Sequence, residues 1–185
     1  MGRIVYSMFA SLDGFVEDAD GGIGFSAPDE ELHRLANEQA RQTAVFLFGR
    51  RMFEVMEEPW TVAARRDDVP EVEAEFARAY VDTPRVVFSD TLERVPEGVR
   101  LVRSADAVAE AERLKETTDG ILSVGGPGLA ASLFPLIDEF RLFVLPVLVG
   151  GGKPFFPQGR SLPLVLTDDR RFASGTMYLR YERRR

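Results

Sequence analysis

A chain of 185 residues, 45% hydrophobic and 29% charged, is long enough for one continuous core and has the make-up of an ordinary water-soluble fold. Its net charge of −7 leaves no basic surface for nucleic acid, and the lack of cysteine excludes disulfides, thiolate nucleophiles and Cys-based metal sites. A single histidine, His33, excludes a His-cluster metal site, and no apolar run approaches the roughly 18 residues that span a bilayer.

Met1-Gly2-Arg3 leads straight into Ile4–Ala10, an apolar run suited to a central strand, which gives the expectation of a cytoplasmic protein with no membrane partner. The acid- and glycine-rich stretch from Asp13 to Gly24 reads as a long loop just past that strand's end, where open α/β sheets bind ligands. Pro28–Gln42 is predicted helical, with Ser26 or Asp29 near its start, acids Asp29, Glu30 and Glu31 in its first turn, and Leu32, Leu35 and Ala36 as its apolar stripe. His33 falls in this helix as a structural residue. Ala44–Phe48 is a second buried strand, ending in Gly49-Arg50-Arg51; a strand, a glycine and a helix opening with two arginines is a plausible anion site.

Pro59–Pro70 is polar and bounded by prolines, so a loop anchored by Trp60 is expected, followed by a short helix over Glu71–Tyr80. Arg85–Asp90 reads as a third strand. Ser104–Thr118 reads as a helix with Ser104 as N-cap and Val108, Ala111 and Leu114 facing inward. Ile121–Val124 and Leu142–Val149 are buried strands flanking a helix over Pro127–Ile137, a βαβ unit. Leu162–Thr167 and Phe172–Tyr181 are expected to form an antiparallel pair turning at Asp168–Arg171, and Arg183-Arg184-Arg185 a solvated tail. The class is therefore α/β, in three layers, with a mixed, mostly parallel sheet and a C-terminal antiparallel pair, all in one domain spanning 1–185.

The turn after the βαβ unit's first strand has two readings. Gly126-Pro127-Gly128-Leu129-Ala130-Ala131 satisfies the glycine pattern of a dinucleotide-binding turn. That pattern also needs an acid about 20 residues later, and Leu145–Val149 carries none. What remains is a glycine turn beside three other strand ends, at 10, 48 and 88, each followed by glycine, serine or arginine. Four such ends converging make a ligand cleft.

Five motifs in this order resemble the dihydrofolate reductase-like superfamily, and within it the branch of the riboflavin-biosynthesis reductase domain and its stand-alone bacterial relatives. They are Ser11-Leu12-Asp13-Gly14, Gly49-Arg50-Arg51, Val87-Phe88-Ser89, Gly125-Gly126-Pro127-Gly128, and Pro146 to Phe156. The resemblance implies NADPH along the strand ends, with Gly49, Arg50 and Arg51 at cofactor phosphates and Ser89 near the adenosine 2′-phosphate. It implies that Val124, Gly125, Gly126, Gly128 and Leu129 wrap the pyrophosphate, the Gly125-Gly126 peptide being cis in relatives. Ala10 and Ser11 border the nicotinamide, the Asp13–Gly24 loop closes over the site, and Gly150–Phe156 lines its other wall.

The implied activity is hydride transfer from NADPH to a small, heterocyclic substrate by a homodimer without a metal. Asp13 is the first candidate for the acid or substrate-orienting group, with Glu17 and Glu30 next. Two departures stand out. Met52 lies where dihydrofolate reductases have a phosphate-binding threonine, and Glu30 and Glu31 both lie near the place of their pteridine-binding acid. A non-catalytic nucleotide-binding or structural homodimer that keeps the fold is the alternative.

Overall fold

The apolar run after Arg3 forms β1 (Arg3–Ser11). Its Ile4 and Tyr6 go to one face of a sheet, while Ser7 and Phe9 go to the other. In a computed structural model, which describes residues 1–184, that sheet has eight strands. The others are β2 (Thr43–Gly49), β3 (Arg85–Phe88), β4 (Val99–Val102), β5 (Ile121–Gly125), β6 (Glu139–Leu145), β7 (Leu164–Arg171) and β8 (Met177–Arg183). The order is β4-β3-β2-β5-β1-β6-β8-β7. Strands β1 to β6 pair in parallel, and β8 runs antiparallel to both β6 and β7. The α/β class with a C-terminal antiparallel pair is thus what forms.

One face is covered by α1 (Glu30–Arg41), α2 (Arg50–Ala63) and α3 (Glu71–Asp82), whose Ala40, Phe53 and Tyr80 pack on Phe46, Phe48 and Val87 of the sheet. The other face carries α4 (Ala107–Thr117) and α5 (Pro127–Ser132), packed on Ile4, Tyr6, Leu47 and Val124. Asp29 caps α1, its carboxylate accepting the Leu32 N–H at 2.9 Å, a contact generally worth about 1 kcal/mol. None of the helices among the described residues is long and apolar enough to cross a membrane.

Several boundaries differ from expectation. The stretch opening at Pro59 is not all loop, because α2 continues through Pro59 to Ala63. Proline withholds one helical N–H, but Trp60 packs on Phe76 (4.5 Å) and edge-on to His33 (5.7 Å), and these contacts hold the last turn in place. Strand β4 was not expected. Ser104 does not cap α4: it opens a 3-10 turn over Ser104–Asp106, leaving Asp106 at the cap position. Ala111 and Leu114 face inward as expected, but Val108 is 43% exposed and Ala107 takes its place. The βαβ helix ends at Ser132 and its second strand at Leu145.

The terminal hairpin turns at 172–176, where Gly175 has φ 86°, so Asp168–Arg171 belongs to β7. Nor is Arg183 a solvated tail. Its guanidinium donates to the Phe134 and Ile137 carbonyls and lies 5.7 Å from the Phe134 ring. Arg185 lies outside the described residues.

Candidate functional site

The cleft forms where α1 and α2 stand off the sheet, across the ends of β1, β2 and β5. It encloses about 780 Å³, within the range of small-molecule sites. Its floor is largely apolar, with Phe9, Phe46, Phe48 and Phe143 from the sheet and Trp60 and Phe76 from the helices. Among the described residues, the charged side chains lining it are Arg50, Arg51 and Lys153 against the single carboxylate of Glu17. A chain of net charge −7 therefore encloses a cavity with a cationic rim, which is the field an anionic ligand needs.

Two backbone turns meet at that rim. Gly49 opens α2 without a side-chain cap, and no acid stands in the helix's first turn, in contrast to α1 with its Asp29 cap, Glu30 and Glu31. The first N–H groups of α2 are left for a ligand, and Arg50 and Arg51 add charge beside them. Opposite, β5 runs into Gly126 at φ 98°, a conformation that favours glycine. A Cβ on Gly125 would come within 2.7 Å of the Phe48 ring and 3.1 Å of Met52. Met52 thus packs onto the glycine turn and supplies no hydroxyl. At Gly128 a Cβ would meet nothing within 4 Å, so the backbone there is open. The Gly125-Gly126 peptide, expected cis by resemblance, is trans, as is every other peptide among the described residues.

The loop after β1 is tied down at both sides. Ser11 bonds Phe15 through backbone and hydroxyl, and the Val16 N–H donates to the Lys153 carbonyl at 2.8 Å. Lys153 is thereby carried to the rim. Glu17, with a side chain 12% exposed, lies 3.4 Å from both Arg51 and Lys153, and Arg51 also donates to the Gly21 carbonyl. The Glu17 carboxylate and the Arg51–Gly21 bond together join the loop to the cationic rim and α2.

The expected residues divide accordingly. Gly49, Arg50, Arg51, Val124, Gly125, Gly126, Gly128 and Leu129 all line the cavity, as does Glu17. Asp13 does not: its carboxylate accepts the Val149 and Gly150 N–H groups, at 3.2 and 2.8 Å. The Ser11 hydroxyl, with those N–H groups, holds its carboxyl below the usual carboxylate range, the opposite of what a proton donor needs. Glu30 is exposed and pairs with Arg34. Glu31 accepts the Ala173 N–H at 3.3 Å. Ala10 and Ser11 are buried away from the cavity, and Met8 and Phe9 line it in their place. Ser89 is buried under its own turn, its hydroxyl accepting from Thr91 and Leu92, and Arg50 reaches Thr91 instead.

Of the Gly150–Phe156 wall, Lys153 lines the cavity, and Ser7 and Gln39, which no motif marked, line it as well. Gln39 was findable, since it continues the cavity-facing stripe of His33, Ala36 and Ala40 at helical spacing. His33 itself bonds Asn37 at 3.1 Å and packs against Trp60 and Phe76.

A sheet of this order with a cleft across the ends of β1, β2 and β5 defines the dihydrofolate reductase-like class of fold. Within that class, the chain belongs to the RibD C-terminal domain family, whose model matches residues 3–178. It is similar to the uncharacterized protein YyaP of Bacillus subtilis (strain 168), 26% identical over 97% of this chain and 94% of that one. Among solved structures it is similar to a Thermotoga maritima diaminohydroxyphosphoribosylaminopyrimidine deaminase/5-amino-6-(5-phosphoribosylamino)uracil reductase, with TM-score 0.69, 16% identity, and coverage of 99% of this chain and 57% of that one. It is also similar to an Enterococcus faecalis dihydrofolate reductase complexed with NADP(H), with TM-score 0.66, 16% identity, and coverage of 99% and 97%.

Proposed function

We propose that this protein is an NADPH-dependent reductase that transfers a hydride to a small heterocyclic substrate of the pterin or flavin-precursor kind. The observation that carries the reading is the cationic rim of Arg50, Arg51 and Lys153 above an apolar cavity, flanked by the uncapped start of α2 at Gly49 and by a glycine turn whose backbone is open at Gly128. These residues fit a dinucleotide. Arg50, Arg51 and the first N–H groups of α2 hold phosphate, and the backbone of Gly126, Gly128 and Leu129 holds the pyrophosphate. When bound, NADPH supplies the hydride. The Phe9, Trp60 and Phe143 walls exclude water, and Glu17, the carboxylate facing the cavity, orients the substrate.

A second reading, nucleotide binding without turnover, is supported by Met52 over the glycine turn and by the absence of a carboxylate from the cavity-lining residues of α1. Fluorescence titration with NADPH, followed by NADPH oxidation across pterins, flavin precursors and quinones, separates the two. Lack of micromolar NADPH binding refutes the reductase; binding without oxidation favours the second reading. We also propose a homodimer. Leu12 and Leu148, 65% and 70% exposed on adjoining segments, offer an apolar contact. Light scattering that returns the 20.7 kDa monomer mass would refute it.

A further inference from the structure

At the floor of the cavity α1 presents a carboxamide. Gln39 lines the cavity together with Ser7 of β1 and Ser123 of β5. The Ser7 hydroxyl donates to its Oε1 at 3.1 Å, while its Nε2 is buried with no hydrogen-bond partner. Buried amide donors are rarely left so in a native interior. This one lies beside a cavity made for a ligand, and the terminal torsion of a glutamine turns easily.

A carboxamide sets one donor beside one acceptor, and Oε1 keeps a second lone pair after serving Ser7. That pair complements the CO–NH edge of a neutral lactam or imide. A protonated amidine edge carries donors alone and calls for a carboxylate, which α1 does not provide. Glu30 pairs with Arg34, Glu31 accepts from the Ala173 backbone, and Glu38 is exposed, while Glu17, on the loop after β1, is already paired with Arg51 and Lys153. We propose that the Gln39 carboxamide, positioned by Ser7, determines specificity and selects substrates with a lactam or imide edge over those with an amidine edge. The inference rests on the reading of the cavity as a substrate site.

The test titrates full-length wild type, Gln39→Met and Gln39→Glu with two probes: lumazine, which has an imide edge, and diaminopteridine, which has an amidine edge. Each titration is run with and without saturating NADPH, and each protein is melted alone. Wild type is expected to bind lumazine the more tightly. Gln39→Met is expected to lose about 10-fold in lumazine affinity while melting close to wild type, because the loss of the unpartnered Nε2 offsets the loss of the Ser7 hydrogen bond to Oε1. Gln39→Glu is expected to reverse the preference. A Gln39→Met protein with wild-type lumazine affinity overturns the inference, as does a wild type that binds neither probe or prefers diaminopteridine. NADPH is titrated separately on the same samples. A wild type that binds lumazine through Gln39 but not NADPH would refute the reductase and leave the specificity residue standing.

Discussion

Replacing Glu17 by Gln separates the cofactor's electrostatics from the chemistry of the site. Glu17 neutralises Arg51 and Lys153 from 3.4 Å each, and those two cations are half-exposed, at 54% and 52%. At that distance a pair interacts by about 1 kcal/mol in bulk water and several-fold more in a protein-like medium. Solvent around the cations limits the net value to about 0.5–1 kcal/mol per pair. Releasing both to an incoming phosphate is expected to tighten NADPH binding by about 1 kcal/mol, or roughly 5-fold in Kd.

The same change removes the carboxylate that faces the cavity and one tie between the loop and α2, the Arg51–Gly21 bond remaining. Turnover is therefore expected to fall as cofactor affinity rises. Fluorescence titration at low and high salt reads the first effect, which screening should erase, and steady-state NADPH oxidation reads the second. A Glu17→Gln protein that binds NADPH no more tightly at low salt refutes the electrostatic argument. One that keeps full turnover refutes the role of Glu17.

Gly126→Ala forces a φ of 98° on a side chain whose Cβ meets Met52 at 3.2 Å, and is expected to cost about 1–3 kcal/mol by urea denaturation; an unchanged midpoint would show that the turn relaxes. Gly128→Ala, with open space around its Cβ and a helical setting, is expected to be as stable as wild type or more so, yet to bind NADPH less tightly. Retained affinity would move the pyrophosphate elsewhere. Glu139, 2% exposed between Arg141 and Arg3, is the centre of a buried ion network, and Glu139→Gln is expected to cost about 3 kcal/mol of stability, measured the same way; a cost below 1 kcal/mol would mean the network relaxes.

Asp13 supports a pH test. Its folded-state pKa is depressed, so its stabilising contribution is complete above its ordinary value of 3.8 and is lost as pH falls through the lower folded value. Wild type is expected to melt above Asp13→Asn at neutral pH, with the gap closing only in stronger acid. A gap that closes between pH 7 and 5 would contradict the assignment.

The strands that carry the site were legible because Ile4–Ala10, Ala44–Phe48 and Ile121–Val124 are apolar on both faces, as buried parallel strands must be. The misread elements have opposite causes. Strand β4 is four residues long at the sheet's edge with Arg100 in its middle, too short and polar to signal itself. In β7 the charges of Asp168–Arg171 resemble a turn, yet Asp168 and Arg170 sit opposite Arg180 and Tyr178 on an edge strand, where charge prevents pairing with another chain. Pro59 reads as a helix end until the packing of Trp60 is known.

At the site, Gly49 and Gly125-Gly126 line the cavity at strand ends, because their places follow from the backbone. Those of the loop's side chains do not. Asp13 follows the strand end as expected, but its direction depends on Val149 and Gly150, which lie 136 and 137 positions away. No local pattern records such a contact.

A structure of the protein with bound NADPH would show whether the cleft holds the cofactor. Phosphates are expected against Gly49–Arg51 and the Gly126–Leu129 backbone, with the nicotinamide inside the cavity and Glu17 as the carboxylate nearest to it. A cofactor seated outside the cleft, or one whose phosphates avoid both arginines and the glycine turn, would contradict it.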